Sequence, residues 1–179
     1  VAHSDQPLRQ GAIHVSAPHI YGTILEALEL TPNKSFSFLN AGSGTGYLSS
    51  MVAVILGPTS LSINIDCHAE AIAHSKAAVD EWKASMPDTK DLPDMQFLHG
   101  NVLNMDVSQG EGLRGFDRIY VGAALEKSNL APLASLLKVG GILVGPGKNI
   151  LECLGFWDGD CEKSGLTHPS LNVYPLCSR

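Results

Sequence analysis

Basic residues are scarce and scattered in this sequence, which argues against most of the ways a protein holds DNA or RNA. Twelve Lys and Arg stand against eighteen Asp and Glu in 179 residues, a net charge of -6. No segment concentrates the positive charge, so the electrostatic footprint of a nucleic-acid binder is missing. Long apolar runs are also missing. The longest, Met51 to Gly57, is far short of the roughly 20 residues that a bilayer span needs. The opening residues, VAHSDQPLRQ, lack the charged and apolar regions of a secretion signal, so no membrane partner is expected. Cysteine is sparse, with Cys67, Cys153, Cys161 and Cys177 widely spaced and no CxxC pair. This reads as reduced thiols in a cytoplasmic or nuclear compartment. His3, His14, His68, His74, His99 and His168 show no metal-ligand spacing, and no metal is expected. What is present, 44% hydrophobic and 17% charged residues, is the composition of one ordinary globular domain.

Ile20, Ile24, Leu25 and Leu28 recur at helical spacing, after Ser16 as a possible cap and Pro18 just inside the first turn; the pattern predicts a helix from about Ala17 to Leu30. Phe36 to Ala41 reads as a buried parallel strand, Tyr47 to Leu56 as a buried helix closed by Gly57-Pro58, and Ser60 to Ile65 as a second strand. An amphipathic helix follows from about His68 to Ala84, then a surface loop over 85–94 and strands at Met95 to Gly100 and Phe116 to Val121. A helix near Asn129 to Leu137 and a strand from Gly141 to Val144 continue the alternation; Ile150 to Trp157 and Leu171 to Leu176 read as an antiparallel edge. The sum is an open, mostly parallel α/β sheet with helices on both faces.

In such a sheet, ligands bind beyond the carboxyl ends of the strands, where strand order reverses. The loop after strand one reads Gly42-Ser43-Gly44-Thr45-Gly46. Its glycines admit close backbone approach, and the helix behind it points N–H groups outward. A dinucleotide fingerprint wants G-x-G-x-x-G, but Tyr47 holds the last glycine's place, which disfavours NAD. G-x-G-x-G followed by an acid at the end of strand two is the pattern of S-adenosylmethionine-dependent methyltransferases. Asp66 is that acid, able to accept from both ribose hydroxyls; it could equally cap the next helix. Asn101, after strand three, offers a donor and an acceptor for an adenine, or serves a turn.

Ile13-His14-Val15-Ser16-Ala17-Pro18-His19 resembles the signature of the protein-L-isoaspartate (D-aspartate) O-methyltransferases. FLNAGSGTGYLSS, FDRIYVGAA, LLKVGGILVGPG and NVYPL follow in that family's order, so the resemblance spans about residues 11 to 177. It is closer still to a divergent branch of isoaspartyl-methyltransferase-domain-containing proteins, which implies ubiquitin-ligase components as further partners. The resemblance implies a Rossmann-like S-adenosylmethionine-dependent methyltransferase fold. It also implies methyl transfer from S-adenosyl-L-methionine to the α-carboxylate of isoaspartyl residues in damaged proteins, the ester then cyclising to a succinimide. It makes Ser16 the active-site serine and places Pro18, His19, Tyr21 and Cys177 at the substrate. Gly42, Ser43, Gly44, Thr45, Gly46, Asp66, Cys67, Asn101 and Val102 are placed at the cofactor.

The chain departs from the family at Asn40 and Asn101, where Asp is usual, at Tyr21, where His is common, and at Cys177, where a hydroxyl residue stands. Those departures raise a second expectation, a slow or inactive recognition module in a ubiquitin-ligase-associated protein. A third is a small-molecule methyltransferase or a nucleotide-dependent oxidoreductase. The resemblance also leads us to expect one domain, residues 1–179, excised from a longer protein without the family's N-terminal helices.

Overall fold

A computed structural model describes residues 5–10, 13–32, 34–107, 113–123, 129–145 and 152–156. A short antiparallel pair, β1 (Leu8–Gln10) and β2 (Ile13–Val15), comes first and leads into helix α1 (Pro18–Ala27). The chain then alternates through β3 (Ser37–Ala41), α2 (Tyr47–Leu56), β4 (Leu61–Asp66), α3 (Ala69–Ala84) and β5 (Asp94–His99). It ends with β6 (Phe116–Val121), α4 (Leu130–Ala134), β7 (Leu137–Gly145) and β8 (Glu152–Phe156). The main sheet has the order β5-β4-β3-β6-β7-β8, with parallel pairing up to β7 and β8 antiparallel at the edge. Among the described residues, no helix is long and apolar enough to cross a membrane.

The period-two pleat of β3 builds a core on both faces. Phe38 points to one side, packed with Ile24, Leu28, Val52, Leu56 and Val144. Leu39 and Ala41 point to the other, packed with Ile63, Ile119, Val121, Leu133 and Leu143. From β3 the chain winds outward through β4 to β5, then returns to place β6 on the other side of β3. That reversal opens a crevice beyond the ends of β3 and β6.

Most expected elements are present, with four corrections. The first helix ends at Ala27 rather than Leu30, because Glu29 turns into the left-handed region at φ 47°. Ser16 does not cap it: the N-cap is Ala17, which makes no capping bond, and the first-turn His19 N–H donates instead to Asp5 Oδ1 at 3.1 Å. The helix expected to reach Leu137 stops at Ala134, since the Leu136 carbonyl accepts from Phe116 N–H and Leu137 pairs with Phe116 as the start of β7. The opening residues, polar and irregular to read, hold β1 and β2; three residues apiece are too few for an alternating pattern to register. The expected strand at Leu171 to Leu176 lies outside the described residues.

Three strands are tied together at their amino ends by Asp117. One of its carboxylate oxygens accepts from Ser37 N–H, Ser37 Oγ and Lys138 Nζ, each at 2.8 Å. Burial pushes this carboxyl upward, but the hydrogen bonds from Lys138 and Ser37 outweigh it and hold the group below its ordinary value of 3.8. A depressed carboxyl stabilises the fold above its unfolded pKa and loses that contribution as pH falls through its folded value. Asp117→Asn is therefore expected to lower stability near neutrality and to flatten the loss of stability below about pH 4. Thermal melts of both proteins from neutral to acid pH test this, and parallel curves would refute it.

Candidate active site

The loop from Gly42 to Gly46 is folded back onto β4. Gly42 N–H and Ser43 N–H both donate to the Ile65 carbonyl, at 2.8 and 3.1 Å. Gly42 has φ 82°, and a Cβ there would lie 3.0 Å from the Ala123 backbone nitrogen, so only glycine lets the β3 and β6 loops close on each other. Gly46 serves packing instead. At φ 77°, its missing Cβ would press on Ser75, Val79 and Phe97 within 3.3 Å, so it seats the start of α2 against α3.

Asp66, at the end of β4, is buried at 7% exposure and aimed by two backbone donors. Gly44 N–H reaches one carboxylate oxygen at 3.0 Å and His68 N–H the other at 2.9 Å. It does not cap α3, whose N-cap is His68 with no side-chain bond. The carboxylate thus joins the glycine loop to the end of β4. Each oxygen keeps further lone-pair capacity for a ligand.

Two cavities meet at this carboxylate. One, about 220 Å³, is bordered by Ser16, Tyr21, Asn40, the loop from Gly42 to Thr45, and Tyr120; His14, Cys67 and His68 also line it. The other, about 130 Å³, is bordered by Asn101, Val102, Leu103 and Leu133. Gly42, Asp66, Cys67 and Ala123 line both. A larger apolar groove of about 450 Å³, with Met51, Val54 and Trp82 among its walls, lies between α2 and α3 on the far side of the glycine loop and shares only Thr45 with the 220 Å³ cavity. The first two cavities are the candidate site.

Polarity marks the 220 Å³ cavity for a polar ligand. Asn40 and Ser43 both line it, and the Asn40 Oδ1 and Ser43 Oγ atoms are buried with no hydrogen-bond partner among the described residues. Such atoms are rare in folded proteins, and an ordered water or a bound group is what ordinarily supplies the partner. Asn40 is held from behind, its Nδ2 donating to Ser49 Oγ at 2.9 Å. Across the cavity, Ser16 N–H donates to the Tyr21 hydroxyl at 2.9 Å, and the Tyr21 ring meets Tyr47 edge to face with centroids 5.1 Å apart. Burial, with Tyr21 nearby, pushes the Tyr120 hydroxyl up to about 12, so it stays a neutral phenol. In the smaller cavity, Asn101 uses its side-chain oxygen on Leu103 N–H at 3.0 Å to start a 3-10 turn over Val102–Asn104. Its turn role is present, and its NH2 is the group left for a ligand.

A family model for protein-L-isoaspartate(D-aspartate) O-methyltransferase matches residues 1–154. The chain belongs to this family. It is 33% identical to protein-L-isoaspartate O-methyltransferase 1 of Arabidopsis thaliana, over 99% of this chain and 76% of that protein. It is 30% identical to protein-L-isoaspartate O-methyltransferase 2 of the same plant, over 92% of the chain, and spans about half, 52%, of that longer protein. Its fold matches a Plasmodium falciparum protein assigned as a protein-L-isoaspartate O-methyltransferase and solved with S-adenosyl-L-homocysteine. That match has a TM-score of 0.63 and 23% identity, and covers 82% of this chain and 67% of the other.

Of the residues proposed from the family resemblance, the structure brings Ser16, Tyr21, Gly42, Ser43, Gly44, Thr45, Asp66 and Cys67 to the larger cavity. Asn101 and Val102 lie at the smaller one. Pro18, His19 and Gly46 border neither cavity. Gly46 borders the outer apolar groove instead. His19 is exposed and faces the other way, its Nδ1 lying 2.6 Å from an Asp5 carboxylate oxygen. The hydrogen bond from the His19 ring holds the Asp5 carboxyl below its ordinary value. Cys177 lies outside the described residues. Sequence reading passed over His14 and Tyr120 as lining residues. For Tyr120 the signal was available, since it sits one residue before the end of a strand that borders the switch point.

Proposed function

We propose that this chain is an S-adenosylmethionine-dependent carboxyl methyltransferase acting on L-isoaspartyl and D-aspartyl residues of damaged proteins. The observation that carries this reading is the pairing of Ser16 with the glycine loop across one cavity. Asn40 and Ser43, whose Oδ1 and Oγ are buried with no partner among the described residues, line that cavity, and Asp66 joins it to the second. The donor set fits the cofactor. Asp66 would take the ribose hydroxyls and Asn101, with Val102 against the base, the adenine. Asn40 Oδ1 would accept from a donor on the amino-acid half. When bound, S-adenosylmethionine supplies a methyl group activated by its positive sulfur.

The chain's own residues have little chemistry to perform. A carboxylate nucleophile with a pKa of about 4 is already ionised at neutral pH, so no general base is needed. Ser16, half-buried at the start of α1, is placed to hydrogen-bond that carboxylate and fix its direction. The Tyr21 hydroxyl, by accepting from Ser16 N–H, holds the serine backbone in position. The Tyr120 phenol, held neutral by burial, brings no negative charge against the substrate. Closing water out of this cavity strengthens every such bond.

The cytoplasmic or nuclear setting belongs to the same proposal. The recognition-module reading, with ubiquitin-ligase components as partners, has no support from the relatives described above, which bear methyltransferase names.

Methyl transfer to an isoaspartyl peptide, with its normal aspartyl twin as control, tests the reading. The isoaspartyl form alone is expected to be methylated. Ser16→Ala should lower kcat/KM by roughly 10- to 100-fold, the worth of one hydrogen bond to a charged group. A protein that binds S-adenosylhomocysteine yet methylates neither peptide would overturn it.

A further inference from the structure

Asp66, Cys67 and His68 are consecutive, and the turn between β4 and α3 brings three different donor atoms to one point. The Cys67 sulfur lies 3.3 Å from His68 Nδ1, and His68 Nδ1 lies 3.1 Å from an Asp66 carboxylate oxygen. All three ligand atoms fall within 4.8 Å of one another. In a tetrahedral zinc site, with bonds of about 2.3 Å to sulfur and 2.0–2.2 Å to nitrogen and oxygen, neighbouring ligand atoms stand about 3.3–3.6 Å apart. The two short separations already approach that spacing, and the third, from the Cys67 sulfur to Asp66, lies within 4.8 Å.

The surroundings favour a metal further. Cys67 is a free, exposed thiol, and the His68 side chain is 67% exposed, so both can turn to a cation without losing packing. Asp66 cannot wander. Gly44 N–H and His68 N–H hold its two oxygens, as outer hydrogen bonds hold a ligating carboxylate in metal sites. His99 Nε2, 3.2 Å from the Cys67 carbonyl, steadies the backbone between the two exposed ligands. Sulfur, imidazole and one carboxylate suit zinc and its soft neighbours, whereas magnesium and calcium prefer oxygen alone.

We propose that Asp66, Cys67 and His68 form a three-ligand site for a zinc-like divalent cation, and that the cation and the methyl-donor cofactor exclude each other. The second half rests on the proposed function, because Asp66 is the acid assigned there to the ribose. Binding forms the metal–sulfur bond and releases the thiol proton to solvent; no oxidation or reduction is involved. A fourth position stays open to water, which is the geometry of an accessible regulatory site rather than a closed structural one.

The test uses the metal-free protein and two titrations. In the first, Zn2+ is competed against a chromophoric chelator, and Co2+ serves as a spectroscopic substitute. One zinc per chain is expected, weakened by roughly 10- to 100-fold in His68→Ala and in Cys67→Ser. The thiolate-to-cobalt charge-transfer band should vanish in Cys67→Ser. Equal zinc affinity in wild type and both variants, or no zinc uptake at all, overturns the site. In the second, S-adenosylhomocysteine is titrated calorimetrically with and without saturating zinc, and zinc is expected to weaken it roughly tenfold or more in wild type but not in His68→Ala. Zinc bound at these residues with unchanged cofactor affinity overturns the exclusion. If S-adenosylhomocysteine fails to bind even without zinc, the cofactor reading falls, while the first titration still decides the metal site.

Discussion

Asp66→Ala is expected to weaken S-adenosylhomocysteine binding about 100- to 10,000-fold. The substitution removes two charge-assisted hydrogen bonds to ligand hydroxyls, each worth roughly 1.5–3 kcal/mol. It also leaves Gly44 N–H without its acceptor, so the loop that forms the cavity floor loses one of its ties to β4 and keeps those from Gly42 and Ser43 to the Ile65 carbonyl. Asp66→Asn separates the two effects. It keeps an acceptor for Gly44 N–H but loses the charge, and should fall between wild type and alanine. Calorimetry on all three proteins, with circular dichroism to show that each is folded, measures this. Alanine binding within about twofold of wild type would remove Asp66 from the cofactor site.

The largest stability effect is expected at Arg118. This side chain sits in the middle of β6 at 9% exposure, in a strand flanked on both sides. Its Nε donates to the Leu28 carbonyl, Nη1 to the Asp117 carbonyl at 2.8 Å, and Nη2 to the Glu29 carbonyl at 3.4 Å. Its guanidinium carbon stands 4.7 Å from the centroid of the Phe36 ring. Two of those carbonyls belong to the unwinding end of α1, where the orphan acceptors of a helix terminus and its negative pole both favour a cation. Arg118→Met fills similar space but removes the donor from the Leu28, Asp117 and Glu29 carbonyls, a loss of roughly 3–5 kcal/mol. For a domain of this size that corresponds to a fall in Tm of about 6–20 °C. Arg118→Lys should recover only part of it, since an ammonium cannot span three carbonyls in different directions. Because α1 begins beside Ser16 and carries Tyr21, the methionine variant should also raise KM for an isoaspartyl peptide more than it weakens S-adenosylhomocysteine. A Tm within about 2 °C of wild type would show that water or neighbouring groups satisfy those carbonyls instead.

The difference between these two residues explains what could be read early. Asp66 announces itself because the glycine loop, the apolar strand and the acid at its end lie in one short stretch, each meeting a local requirement of backbone or chemistry. Arg118 carries no such pattern. A charged pair, Asp117-Arg118, inside a run that otherwise reads as a buried strand signals only that partners must exist. Those partners lie 80 residues away at Ser37 and 90 away at Leu28. Cys67 and His68 show the same limit from the other side, since neighbours in sequence acquire ligand geometry only when a turn folds their side chains together.

By itself, the sequence determined the alternation of strands and helices, the mostly parallel sheet, the glycine loop and the acid facing it, and the family. Each of these follows from periodicity or from a motif short enough for neighbouring residues to specify. Only the tertiary structure decided which signature residues share a cavity. Ser16 and Tyr21 enter it while His19 turns outward to Asp5, because successive residues around a helix start point in different directions. It also decided that Asn40 and Ser43, beside that cavity, hold buried oxygens with no partner among the described residues. Satisfaction of a buried polar atom depends on every chain segment packed around it, and local sequence does not encode that sum.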